Sequence, residues 1–257
     1  MYFDYFDMLS GRPLLIRGVG HVRSPQLSEL CAGYDGSGGK PFYNMMLSVL
    51  TWDKEHIIKY DYSAKFRGAA RLEKSGLSAF DTATLWSHTR ELYRKALSFF
   101  IVEKVVWDES AHCYHTVDDD GRDIGIIDRN NFDDVRQVIL QMNYIGLDKD
   151  SAPVKHSSNA SKELWERAQK HLKDIAKDES RKDKPEYHLS NIVSKVCAAH
   201  PSYNLFNIYD LTIFQLYDTF FQLGYLRSSD LSERIFSNHG GEKFKFEDWL
   251  KPIFKNI

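Results

Sequence analysis

The chain reads as an α+β protein, mainly helical, with a small antiparallel sheet in its N-terminal part and a helical domain at its C-terminus. Three observations predict this. Apolar residues recur at helical spacing over 42–50, over 75–98 and up to Met142. Between the last two, 99–107 (FFIVEKVVW), 113–117 and 124–127 are rich in β-branched and aromatic residues and are separated by turn formers. Beyond the polar, proline-containing stretch 148–160 the periodic segments are all helical. The expected division is a mixed domain over 1–148, a linker over about 149–159 and a helical domain over 160–257.

In chain order, 13–18 (PLLIRG) suits a short strand that 20–23 extends or pairs with. Ser24 is a good N-cap with Pro25 at the first helical position, so a helix is expected over 25–32, stopped by Gly33. The run 34–40 (YDGSGGK) reads as a loop, and 42–50 as an apolar helix. Over 75–98, Leu77, Phe80, Leu85, Trp86, Leu92, Tyr93 and Leu97 fall on one helical face, with Asp81 as a cap. The three extended runs then form the sheet, with a tight turn at 118–121 (DDDG). Asn130 or Asn131 caps a helix that buries Val135, Val138, Ile139 and Met142. After the linker, 161–178 carries Leu164, Trp165, Ala168, Leu172 and Ile175 on one stripe, and the charged run 177–186 is a loop. Helices follow at about 187–199, 211–224, 228–237 and 246–254, the last ones separated by Ser228-Ser229 and Gly240-Gly241.

The stretch 205–226 (LFNIYDLTIFQLYDTFFQLGYL) has no Lys or Arg and is apolar almost all the way round a helix. Such a helix is either sunk in a core or awaits a partner. In the first case Phe214, Leu216, Tyr217, Phe220, Phe221 and Leu223 are ordinary core. In the second, Tyr217, Phe221 or Tyr225 face outward.

Composition narrows the function classes. With 257 residues, 42% hydrophobic and 14% aromatic, the chain is not mainly disordered. A net charge of −2 gives no global attraction to nucleic acid or an anionic membrane. No uncharged run reaches bilayer-spanning length, and MYFDYFDMLS lacks the pattern of a secretory signal. Cys31, Cys113 and Cys197 form no CxxC pair, which fits a reducing cytoplasm rather than a disulfide framework.

Motifs that carry chemistry are weak. His112 and His115 would point to opposite faces of a strand and so could not chelate one ion without a bulge. Asp118–Asp120 lacks the ligand spacing of a calcium loop. Gly18-Val19-Gly20 and 36–40 (GSGGK) lack the remainder of a dinucleotide or phosphate-loop fingerprint. The Lys/Arg-rich 162–184 balances its bases with acids, as a solvated helix does. No cofactor or metal is expected, and no catalytic residue is assigned.

Two separated stretches resemble one family. Residues 18–30 (GVGHVRSPQLSEL), Phe42-Tyr43-Asn44 and the helix end at 47–51 resemble the opening of tail assembly chaperones from phages and prophages of Gram-positive bacteria. Residues 207–224 (NIYDLTIFQLYDTFFQLG) resemble the aromatic-rich helix of the same group, and Trp249 and Ile253 its terminal amphipathic segment. The resemblance implies a long-form, non-enzymatic chaperone of the host cytoplasm that shields the tape measure protein during tail morphogenesis. Phe214, Tyr217, Phe221, Tyr225 and Trp249 would then be its partner-binding residues, supplying apolar area at low rotamer cost. Neither a membrane nor a nucleic acid is an expected partner. The competing readings are a structural tail or baseplate component of a virion, and a nucleic-acid-processing enzyme binding Mg²⁺ at Asp118–Asp120.

Overall fold

The computed structural model describes residues 4–31, 39–61, 76–145 and 188–239. Helix α1 (Tyr5–Leu9) precedes a two-stranded antiparallel hairpin of β1 (Leu14–Ile16) and β2 (Gly20–Val22). Helices α2 (Gly39–Thr51), α3 (Lys54–Asp61), α4 (Ala79–Thr84) and α5 (Ser87–Phe100) follow. Strands β3 (Lys104–Asp108), β4 (Cys113–Val117) and β5 (Asp123–Ile127) make an antiparallel meander in the order β3-β4-β5. Then come α6 (Phe132–Met142), α7 (Leu189–Ala199) and α8 (Ile213–His239). The architecture is α+β, with both small sheets in the N-terminal half and helices at the C-terminus.

The meander forms where alternating burial demands it. Val105, Tyr114, Thr116 and Ile127 turn inward, while Val106, His115 and Ile126 share the outer face in register. Asp118 closes the expected turn by accepting the Gly121 amide on its carbonyl and the Arg122 amide on its side chain, with Gly121 at φ 79°. The β1–β2 turn lies against β5. The Ile126 amide donates to the Gly18 carbonyl at 2.8 Å, and the Thr116 hydroxyl to the Val19 carbonyl. A Cβ on Gly125 would stand 2.2 Å from the Gly18 oxygen, so this crossing requires glycine.

Five expectations are corrected. The helix expected over 25–32 is only a 3₁₀ turn, Leu27–Leu30. Its proposed cap is used elsewhere: Ser24 Oγ accepts the Phe214 amide, the Pro25 carbonyl accepts the Ile213 amide, and the Leu27 amide donates to Leu211. Long-range pairing thus outcompetes a local helix. The segment 75–98 splits between α4 and α5, because Trp86 is extended (φ −113°, ψ 142°). Asp81 acts as the third-position partner of the cap Ser78, each accepting the other's amide. Phe99 and Phe100 belong to α5, where Phe100 is buried, and the strand begins only at Lys104. The helix read over 205–226 starts at Ile213. Thr212 and Gln215 exchange side-chain-to-backbone hydrogen bonds at 3.2 and 3.0 Å, and this reciprocal cap sets the start. At its other end α8 runs on through Ser228-Ser229, where the sequence predicts a break, and Ser232 Oγ donates to the Ser228 carbonyl within the helix.

One hydrophobic cluster takes Met46 and Leu50 from α2, Tyr93 and Leu97 from α5, Val138 and Ile139 from α6, Val196 from α7 and Leu216 from α8. The C-terminal helices thus pack directly on the N-terminal half. The linker 149–159, the stripe and basic run over 161–184, the loop 177–186 and the helix 246–254 lie outside the described residues, as does most of the loop 34–40.

Candidate functional site

The first turns of α8 point their aromatic side chains into the molecule. Phe214 is 1% exposed, and Tyr217 and Phe221 are each 6% exposed. Tyr144, which follows α6 in a left-handed conformation (φ 63°), lies against all three, with ring centroids at 5.0, 5.9 and 5.4 Å. The outward exposure that a partner-facing role for Tyr217 or Phe221 would need is therefore absent: Tyr144 occupies that side. Tyr225 is half-buried, and Trp249 lies outside the described residues.

Asp218 sits within this aromatic cluster and is buried. It is held as an acceptor, with the Tyr5 hydroxyl donating to one carboxylate oxygen and the Tyr144 hydroxyl donating to the same oxygen at 3.2 Å. Burial pushes the Asp218 carboxyl above its ordinary range, while the two phenols pull it back. Burial, reinforced by the Asp218 charge, raises Tyr5 and Tyr144 in turn. Gln215 Nε2 also donates to the Leu9 carbonyl at 2.9 Å, so α1 is fastened to α8 at two points.

Past Leu223, which still packs against the core, the helix becomes more exposed. Leu226, Leu231 and Phe236 are 43%, 59% and 41% exposed. A second apolar projection lies just before α8, where Leu205 and the almost wholly exposed Phe206 form the tip of a turn. Asn204 and Asn207 fix it. The Asn204 amide donates to Asn207 Oδ1 and the Phe206 amide to Asn204 Oδ1, each at 2.8 Å, while Asn207 Nδ2 donates to the Ser202 carbonyl at 2.9 Å. Sequence reading placed Phe206 inside a helix and missed this turn. The two asparagines flanking Leu-Phe were the available signal.

A cleft of about 600 Å³ opens between α4, the β3–β4 turn and the start of α6. Leu77, Phe80 and Leu85 supply its apolar lining, with Arg90, His112 and Arg129 at its polar side. Both arginines are already paired, Arg90 with Glu109 and Arg129 with Asp81, and Arg90 also stacks over Trp107 at 4.8 Å.

The other sequence candidates occupy structural places. His112 sits in the β3–β4 turn at φ 50°, whereas His115 lies on β4 between Asp108 and Asp123, at 3.6 and 3.1 Å. Cys113 is buried. Among the described residues no cluster of three or more His, Cys, Asp or Glu is placed to hold a metal ion, and no described helix is long and apolar enough to cross a membrane.

The turn at 204–207, α7 and α8 fall within one recognisable segment. Residues 180–254 match the family model of the YomV second domain. That family is phage-associated, and the match supports a phage-related protein. The matched YomV-like segment is under a third of the chain. No curated protein and no solved structure matches the chain.

Proposed function

We propose that the chain is a phage tail assembly chaperone, a non-enzymatic protein of the host cytoplasm that binds and shields the tape measure protein. The observation that carries this reading is the two-part character of α8. Its first turns are locked into the core through Phe214, Tyr217 and Phe221, and its second half presents Leu226, Leu231 and Phe236 to solvent. A shield for a long apolar stripe works through several modest apolar contacts on a firmly rooted element, since each contact must release as the tube forms. The phage-associated match over 180–254 and the resemblance of 207–224 to the chaperone helix both fall on this element. On this reading the partner surface is the projecting half of α8, while Phe214, Tyr217 and Phe221 of the five residues expected from sequence are buried.

Co-expression tests it. The chain should raise the soluble fraction of a tape measure protein encoded beside it and be missing from mature particles. No gain in solubility would overturn the reading, and stoichiometric presence in particles would assign the chain to the virion structure instead.

A further inference from the structure

We propose that α1 is a strap that closes on the root of α8 while Asp218 is protonated and loosens when Asp218 ionises, with the rest of the core intact. The strap is lightly fastened. α1 has five residues, too few to hold a helix without tertiary support. Met8 is its one fully buried side chain, with Tyr5 and Leu9 partly buried. Two polar contacts tie it to α8: the Tyr5 hydroxyl donates to Asp218 Oδ1, and Gln215 Nε2 donates to the Leu9 carbonyl. Gly11, at φ 67°, then turns the chain beside Gln215, where a Cβ would stand 2.8 Å from Nε2. Elements held by so few buried contacts open ahead of the core.

The carboxylate beneath the strap lacks a counter-charge. Asp218 is 7% exposed, and its partners among the described residues are the hydroxyls of Tyr5 and Tyr144, both on Oδ1. Residues 1–11, 138–145 and 213–226, which carry α1, the end of α6 with Tyr144 and the inner half of α8, contain no Lys, Arg or His. The α1 segment instead brings Asp4 and Asp7, both exposed. Burying a charge without an opposite one is costly. Here burial outweighs the two phenol bonds and holds the closed-state carboxyl above its ordinary range. Lifting the strap removes the α1 side of that burial and lets the carboxyl return toward its ordinary value. The proton therefore favours closure, which is complete below the ordinary carboxylate range and weakens as pH rises through the raised value. A proton on Oδ2 leaves both phenol bonds to Oδ1 in place. The device acts on α1 and needs no particular partner for α8.

Native-state amide exchange on the full chain, from about pH 5 to about pH 8, reads it. The Met8 and Ser10 amides, bonded to the Asp4 and Phe6 carbonyls, report on α1, and Ile139 reports on α6. After correction for intrinsic rates, protection at Met8 and Ser10 should fall at least about threefold relative to Ile139 as pH rises. Asp218→Asn keeps an acceptor for Tyr5 and cannot ionise, so its α1 protection should stay level. Wild-type protection at Met8 and Ser10 that does not change with pH overturns the proposal. So does an equal fall at Ile139, which means that the whole core opens, or an Asp218→Asn protein that keeps the wild-type fall, which assigns the titration to another group. Should Asp218→Asn fail to fold, Tyr5→Phe takes its place. It removes a phenol that eases the buried charge, so the fall at Met8 and Ser10 should be steeper than in wild type, and an unchanged or shallower fall overturns the proposal.

Discussion

The Tyr5 hydroxyl donates to the Asp218 carboxylate across 213 residues of sequence, tying the first helix of the chain to its longest described one. The bond lies beside the aromatic cluster formed by Tyr144, Phe214, Tyr217 and Phe221, and the burial of Asp218 there sets a pH dependence. The folded state raises the Asp218 carboxyl above its unfolded value, so its stabilising contribution is complete below the ordinary carboxylate range, near about pH 4, and declines as pH rises through the raised value. Asp218→Asn keeps an acceptor oxygen but cannot ionise. The stability advantage of wild type over Asp218→Asn should shrink from pH 4 to pH 8, measured by urea unfolding. Parallel curves would show that the carboxyl titrates normally.

Phe221→Ala removes a ring that stacks on Tyr144 in a closed core, and it should cost about 3–5 kcal/mol of stability. Phe206→Ser, at an exposed tip, should stay within about 0.5 kcal/mol of wild type. Chemical denaturation of the two variants side by side checks the contrast.

Thr212→Ala deletes one half of the reciprocal cap that starts α8 and should cost about 1 kcal/mol. Amide exchange should quicken first at Phe214 and Gln215 and leave α6 unchanged.

Gly125→Ala forces a Cβ into the Gly18 carbonyl, so the β1–β2 turn must lift from β5. A loss of at least about 2 kcal/mol is expected, with chemical-shift changes centred on Gly18, Val19 and Thr116.

Local patterning made much of this fold legible. The meander followed from β-branched runs and the Asp118–Gly121 turn, and α6 from its apolar spacing after Asn131. What sequence alone missed depended on distant partners. Ser24 and Pro25 carry every local sign of a helix start, yet their acceptor groups are taken by Phe214 and Ile213, nearly two hundred residues away. The aromatics of α8 were recognised as a decisive feature, but which of them faced outward depended on where Tyr144 lay. The Thr212–Gln215 cap was present in the sequence as a Thr-x-x-Gln pattern, and reading it would have moved the helix start to Ile213 and left Phe206 in a turn.

Binding of a tape measure segment by Leu231→Asp and Phe221→Ala, with urea stability measured on the same samples, separates the projecting half of α8 from its buried half. Leu231→Asp should weaken binding at least about tenfold, which is about 1.4 kcal/mol, with stability within about 0.5 kcal/mol of wild type. A Leu231→Asp protein that binds as wild type does, while Phe221→Ala alone loses binding in proportion to its lost stability, would contradict a shielding role for this helix.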